Sequence, residues 1–228
     1  MAIAARPEAV LFDLDGTLID SAPDLLVALD HVLAGLGHPG ADHARLREHV
    51  SRGAVGLLAA GLPTWNELGE AERNRAREAL LDYYGEHCWV HSAPFDGVEA
   101  LLTSLHERGI RMGIVTNKVS RFAEPIVERA GWRDRFGCLI TGDRVDHPKP
   151  DPEAVLAACK ALRVEPGRTL FVGDDRRDVL AGRAAGTSTV VAAWGYVPAG
   201  VRLEDWEADT VIPDPLKLID WLAPREAV

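Results

Sequence analysis

Val10-Leu11-Phe12-Asp13-Leu14-Asp15-Gly16-Thr17-Leu18-Ile19-Asp20-Ser21 is the stretch from which the rest of this chain can be read. Val10 to Phe12 reads as the end of a buried strand. Two carboxylates follow, Asp13 and Asp15, one residue apart, and Gly16-Thr17 turns the chain. Ligands bind at the carboxyl ends of the strands in open parallel sheets, so both aspartates are expected at the rim of a sheet. Neighbouring carboxylates repel, and a divalent cation with oxygen ligands, such as magnesium, is the usual compensation. Beside a metal, one carboxylate can stay ionised as a nucleophile while the other carries a proton as general acid and then base. The same residues also make an acidic turn that caps a helix. The run by itself leaves both readings open.

Three further segments carry polar residues at telling places. Met112 to Val115 is an apolar strand that ends at Thr116-Asn117. Lys149-Pro150-Asp151-Pro152 comes next, and Leu170 to Val172 ends at Gly173-Asp174-Asp175-Arg176-Arg177-Asp178. In this order the set resembles the haloacid dehalogenase superfamily of phosphohydrolases, over nearly the whole chain. Asp13-Leu14-Asp15-Gly16-Thr17-Leu18 matches the first motif of that family in full.

The resemblance implies a role for each residue. Asp13 would attack phosphorus to give an aspartyl-phosphate and would also bind the metal. Asp15 would be the acid/base and lend its backbone carbonyl to the metal. The dehalogenases of the family lack this second aspartate, so its presence implies phosphate chemistry. Thr116 and Asn117 would hold phosphate oxygens through the hydroxyl and backbone N–H groups; apart from the family they read as an ordinary turn. Lys149 would place a positive charge on the transferring phosphoryl group and near Asp13; a lone lysine is more often solvated. Asp174 would ligate the metal directly. Asp178, one helical turn on, would bind it through water, or else pair on the surface with Arg176 or Arg177. Asp175 is left as a helix cap.

Composition narrows the function classes. The 228 residues allow a large domain, or a domain with a smaller insertion. A hydrophobic share of 47% is that of a globular chain. The net charge of −10 argues against binding nucleic acid or acidic membranes, so an anionic substrate needs locally placed cations. Cys88, Cys138 and Cys159 have no metal-ligand spacing and read as reduced thiols. Met1 to Pro7 is too short for a signal peptide, and no apolar run is long enough for a bilayer, so a cytoplasmic enzyme is expected. Its expected partner is a small phosphorylated metabolite; the oligomeric state is not legible.

Strands expected at Glu8–Leu14, Arg111–Val115, Cys138–Thr141, Thr169–Val172, Thr189–Ala193 and Thr210–Ile212 alternate with helices. That alternation implies βαβ units. The expected fold class is α/β, a Rossmann-like parallel core over residues 1–19 and 93–228. Residues 20–92 show no strand pattern and resemble the inserted helical cap of the family's first class. Ser21 is expected to cap the helix that follows it, and Asp96 the helix ending at Gly109. Trp65 to His87 reads as one long helix or a helix pair, and Ser51 to Gly56 as a glycine-bearing turn. Arg52 in that turn lies where family members contact the organic part of the substrate, and it could clamp a carboxylate. A solvated surface arginine is the plainer alternative. Trp194 and Tyr196 could wall the site, with core packing the plainer reading for an aromatic pair.

The resemblance thus implies magnesium-dependent hydrolysis of a small phosphate monoester. The runs quoted above are most similar to phosphoglycolate phosphatases, which points to 2-phosphoglycolate. The tail, Gly195-Tyr196 with Trp206, Ala208-Asp209 and Asp214-Pro215-Leu216, is similar to relatives that act on N-acetylmuramic acid 6-phosphate. A sugar phosphomutase of the same superfamily is the remaining enzymatic alternative. A non-catalytic phosphate-binding module would need a missing motif, and none is missing.

Overall fold

Val10 to Phe12 lie in a strand, Ala9–Phe12 (β1), at the centre of a six-stranded sheet. The computed structural model describes residues 7–222. The segment read for a leader, up to Arg6, and the last residues assigned to the core, 223–228, lie outside them. The other strands are Arg111–Val115 (β2), Cys138–Ile140 (β3), Thr169–Gly173 (β4), Ser188–Ala192 (β5) and Thr210–Ile212 (β6). Their order is β3-β2-β1-β4-β5-β6, and every neighbouring pair is parallel. This is the expected Rossmann-like core. The order reverses between β1 and β4, so the connections leave in opposite directions there and a crevice opens at the carboxyl ends of these two strands. Asp13 follows β1 directly and Asp174 follows β4 directly.

The chain divides into two compact units, the described residues up to Ile19 with those from Pro94, and Asp20–Ala93. The second unit is helical: Ala22–Gly35 (α1), His43–Leu46 (α2), Gly53–Gly61 (α3) and Glu70–His87 (α4), with a 3-10 segment at Arg47–Arg52. Two sequence expectations change here. The glycine-bearing stretch at residues 51–56 is a change of helix type rather than a turn, with Arg52 at the start of α3. The candidate long helix is single and starts later, at Glu70.

Ser21 occupies the N-cap of α1, yet its side chain makes no capping hydrogen bond. The organising group is Asp24, buried in the first turn. It accepts the N–H groups of Val90, His91 and Ser92 at 3.0, 2.8 and 3.0 Å, and the Ser92 hydroxyl at 2.6 Å. One carboxylate therefore ties the start of the unit to its end. Leu26, Leu29, Val32 and Leu33 bury the apolar face of α1, and Ala76, Leu80 and Tyr84 that of α4.

The first unit's helices are Val98–Glu107 (α5), Ser120–Arg129 (α6), Glu153–Leu162 (α7), Arg176–Ala185 (α8) and Pro215–Trp221 (α9). Asp96 does not cap α5; Gly97, in the left-handed region, is its N-cap. All four β1 side chains are 0% exposed, which requires cover on both faces of the sheet. Ala9 and Leu11 join Ala154, Val155 and Ala158 of α7 and Ala181 of α8 in one cluster. Alternation turns Val10 and Phe12 to the other face, where Phe12 meets Phe136 edge-on at 6.5 Å. Each large apolar side chain so buried contributes roughly 1.5–3 kcal/mol. No helix among the described residues is long and apolar enough to cross a membrane.

Asp24→Ala leaves three main-chain N–H groups and a hydroxyl without their acceptor. It should lower stability in urea unfolding by about 2–4 kcal/mol. A loss below about 0.5 kcal/mol, the level of an ordinary surface change, would remove Asp24 as the tie of this unit.

Candidate active site

Lys149 is the centre of the crevice. Its side chain is 2% exposed. The ammonium lies 2.9 Å from Asp13 Oδ1 and 2.7 Å from Asp178 Oδ1, and donates to the Val115 carbonyl at 2.8 Å. An ammonium has three donors, and three acceptors surround this one. Burial alone would push the lysine down; Asp13 and Asp178 outweigh it and hold Lys149 above the ordinary lysine range. The two alternatives in which Lys149 is solvated and Asp178 is a surface partner of an arginine are thereby excluded: Asp178 is buried and faces Lys149.

Asn117 fixes the main chain of that lysine. Its amide donates to the Lys149 carbonyl at 2.8 Å and accepts the Lys149 N–H at 2.9 Å. The Asn117 side chain is thus engaged on Lys149, and the phosphate role expected from sequence is one for its main-chain N–H. Thr116 is buried, with its hydroxyl accepting the Lys118 N–H at 3.1 Å.

Asp174 is held from two loops. The Thr17 hydroxyl donates to its Oδ1 at 2.9 Å, and the Tyr196 N–H to its Oδ2 at 2.9 Å. The indole N–H of Trp194 donates in turn to the Thr17 carbonyl at 2.9 Å. Gly16 and Gly195 make this approach possible. A Cβ on either would overlap Asp174, and Gly16 has φ +84°, which favours glycine. Tyr196 is buried, as the packing reading expects, and its main-chain N–H and the Trp194 indole also serve the site by supporting Asp174 and the Thr17 loop. Asp175 caps α8 by accepting the Arg177 N–H at 2.9 Å, and the Arg177 guanidinium closes on the same carboxylate. Asp178 completes the cap by accepting the Asp175 N–H at 3.0 Å.

Asp15 stands beside a residue to which the sequence assigned nothing. Lys118 Nζ lies 2.8 Å from Asp15 Oδ1. The only signal was position: Lys118 directly follows Thr116-Asn117. Arg52 belongs to the helical unit, where its side chain is exposed and its stem packs over Gly56.

Among the described residues, Asp13, Asp174 and Asp178 offer oxygens within 4.8 Å of one another. An all-oxygen donor set of this kind suits a hard cation. Charge points the same way. With all four ionised, the carboxylates of Asp13, Asp15, Asp174 and Asp178 outnumber the two ammoniums of Lys118 and Lys149 by two negative charges, as many as one divalent cation neutralises. Burial first, then Asp13 and Asp178, raise Asp174 well above the ordinary carboxylate range. Burial likewise raises Asp178, to about 7, against the opposing pull of Lys149.

Comparison with known proteins gives the family. A family model described as haloacid dehalogenase-like hydrolase matches residues 7–186. The N-acetylmuramic acid 6-phosphate phosphatase of Pseudomonas aeruginosa is 43% identical over 95% of this chain and 95% of its own. A phosphoglycolate phosphatase of Xanthomonas campestris is 40% identical over 93% and 95%. The solved structure of a predicted phosphoglycolate phosphatase from Haemophilus somnus shares 25% identity with a TM-score of 0.85, covering 95% of this chain and 98% of that one.

A cation entering the cluster must displace the proton that Asp178 holds below about pH 7, and it competes with protonation of Asp174, which burial also favours. Divalent-cation affinity by titration calorimetry should therefore weaken as pH falls, by about tenfold per unit for each proton displaced, with a heat that depends on the buffer. An affinity flat from about pH 5 to about pH 8 would mean that these carboxylates are already ionised without metal.

Proposed function

This chain belongs to the haloacid dehalogenase-like hydrolases, and from that premise we propose that it is a magnesium-dependent phosphatase of a small carboxylated phosphate monoester. The observation that carries the proposal is the buried Lys149 ammonium between Asp13 and Asp178, beside an acidic cluster with a net demand for a divalent cation.

Asp13 attacks phosphorus, the bond to the leaving oxygen breaks, and an aspartyl-phosphate forms. Asp15 gives a proton to the departing alkoxide and then takes one from the water that hydrolyses the acyl phosphate. Lys149 keeps Asp13 oriented and offsets charge on the phosphoryl oxygens. Thr116 and the main-chain N–H groups after β2 are the proposed hydrogen-bond donors to those oxygens. Asp13, Asp174 and the Asp15 carbonyl would hold magnesium, with Asp178 supporting through water, and the bound cation would further neutralise phosphoryl charge. Thr17 and the Tyr196 N–H orient Asp174 for that task.

Of the two substrates expected from sequence, N-acetylmuramic acid 6-phosphate is supported by the Pseudomonas relative and by the tail around Tyr196, Trp206 and Asp209. 2-Phosphoglycolate is supported by the Xanthomonas relative. Identities of 43% and 40% order the two without separating them, so the amino-sugar phosphate is the first to assay and 2-phosphoglycolate the second.

Steady-state phosphate release with magnesium, across both compounds and common sugar phosphates, tests the proposal. At least one carboxylated ester should be hydrolysed well above the rest, and release from none would defeat it. Asp13→Asn should lower kcat at least about a thousandfold with an unchanged circular-dichroism spectrum. Near-wild-type turnover in that variant would remove Asp13 as nucleophile. Asp15→Asn should slow both phosphoenzyme formation and its hydrolysis, each by about a hundredfold or more, whereas a rapid-quench time course like the wild type's would take the acid/base role from Asp15.

A further inference from the structure

Lys149 accounts for the charge of Asp13 and Asp178, and one cation in the crevice stands outside that arrangement. Lys118 is 9% exposed in its side chain and lies 2.8 Å from Asp15. A lysine ordinarily keeps its ammonium in water, because desolvating it is costly. Here the ammonium is withdrawn into the site, so the surroundings must return that cost.

The main chain around Lys118 is fixed. Its N–H donates to the Thr116 hydroxyl at 3.1 Å, and its carbonyl accepts the Gly142 N–H at 3.1 Å. A Cβ at Gly142 would run into the Asn117 carbonyl, so the neighbouring loop presses directly on this turn. The side chain thus starts from a set position and ends on Asp15.

The choice of partner locates the ammonium relative to the reaction. In the proposed reaction the phosphoryl group and the metal lie beside Asp13, Asp174 and Asp178, whose oxygens cluster within 4.8 Å. Asp15 is the residue that meets the leaving oxygen in the proposed reaction. A cation paired with Asp15 then belongs, in that reaction, with the leaving group, as Lys149 beside Asp13 belongs with the phosphoryl group.

On this basis we propose that Lys118 is a specificity-determining residue that receives the carboxylate of the substrate's organic portion. The proposal rests on the phosphatase reading above and names the residue behind its substrate class. A chain with a net charge of −10 offers an anionic leaving group no general attraction. Without Lys118, the carboxylate of 2-phosphoglycolate, close to the leaving oxygen, would meet Asp15 charge against charge. With it, the ammonium lies between the two, already stripped of most of its water, where a charged contact discriminates far better than on the surface. Arg52, exposed on the helical unit, is the competing clamp expected from sequence.

The test compares kcat/KM within two matched pairs, N-acetylmuramic acid 6-phosphate against N-acetylglucosamine 6-phosphate, and 2-phosphoglycolate against 2-hydroxyethyl phosphate. The second member of each lacks the carboxylate-bearing group. In Lys118→Met, with Lys118→Gln as a second neutral variant, the preference for the carboxylated member should fall at least about tenfold, mostly through KM. Inhibition by inorganic phosphate should stay within about twofold, because Lys149 is intact, and Lys118→Arg should keep most of the preference. Equal losses on both members would overturn the proposal and leave Lys118 a prop for Asp15. So would a preference erased in Arg52→Ala and kept in Lys118→Met. A wild type active on a pair without preferring its carboxylated member overturns this proposal alone; one inert to all four compounds overturns the phosphatase reading and this proposal with it.

Discussion

One buried ammonium sets the terms for the whole crevice. Asp13 follows β1, Val115 closes β2 and Asp178 opens α8, and all three turn an oxygen toward Lys149. Buried carboxylates this close would repel without a cation among them, and removing one partner of a buried charge pair leaves the others uncompensated. The pairing therefore holds three separate chain segments in one geometry. It also explains why a side chain as polar as Asn117 is spent on the main chain of Lys149: the lysine works only if its backbone cannot drift.

Around that charge the fold supplies position. The reversal of strand order between β1 and β4 opens the crevice, and parallel strands bring Asp13 and Asp174 to its rim together. The loop after β5 then closes on Asp174 so tightly that Gly16 and Gly195 can carry no side chain. Orienting groups of this kind fix a carboxylate before any ligand arrives, which keeps reorganisation out of the reaction. The helical unit is organised separately, by the Asp24 carboxylate and its four donors. Relatives of similar identity are named for different phosphate esters, in keeping with function lying in the site rather than in the fold.

Chemistry-bearing residues at strand ends were legible in the chain because local pattern marks them. An apolar run followed by Asp, Thr-Asn or Gly-Asp-Asp announces a strand that stops at a polar rim, whatever the tertiary contacts. Local pattern placed Asp13, Thr116 and Asp174 at the ends of strands, and the order of the motifs, through its resemblance to a family, gave them their roles. Local pattern also misled. Ser21 and Asp96 have the right type and position for helix caps, yet neither side chain caps a helix. Cap preference is worth about 1 kcal/mol and yields to a stronger competing arrangement such as the Asp24 tie.

By itself, the sequence determined the parallel α/β core, the order of its strands and helices, and the acidic and basic residues gathered at its carboxyl end. Periodicity and turn chemistry act over a few residues, and a few residues suffice to encode them. The tertiary structure alone decided which charge meets which. Lys118 and Asp15 lie 103 residues apart in the chain, and the Thr17 hydroxyl and Asp174 lie 157 apart. Partnerships at such separations depend on sheet order and loop approach, so no window of sequence contains them. That is why Lys118 was passed over, and why packing was the plainer reading of Trp194 and Tyr196 until their polar groups were seen to support the Thr17 loop and Asp174.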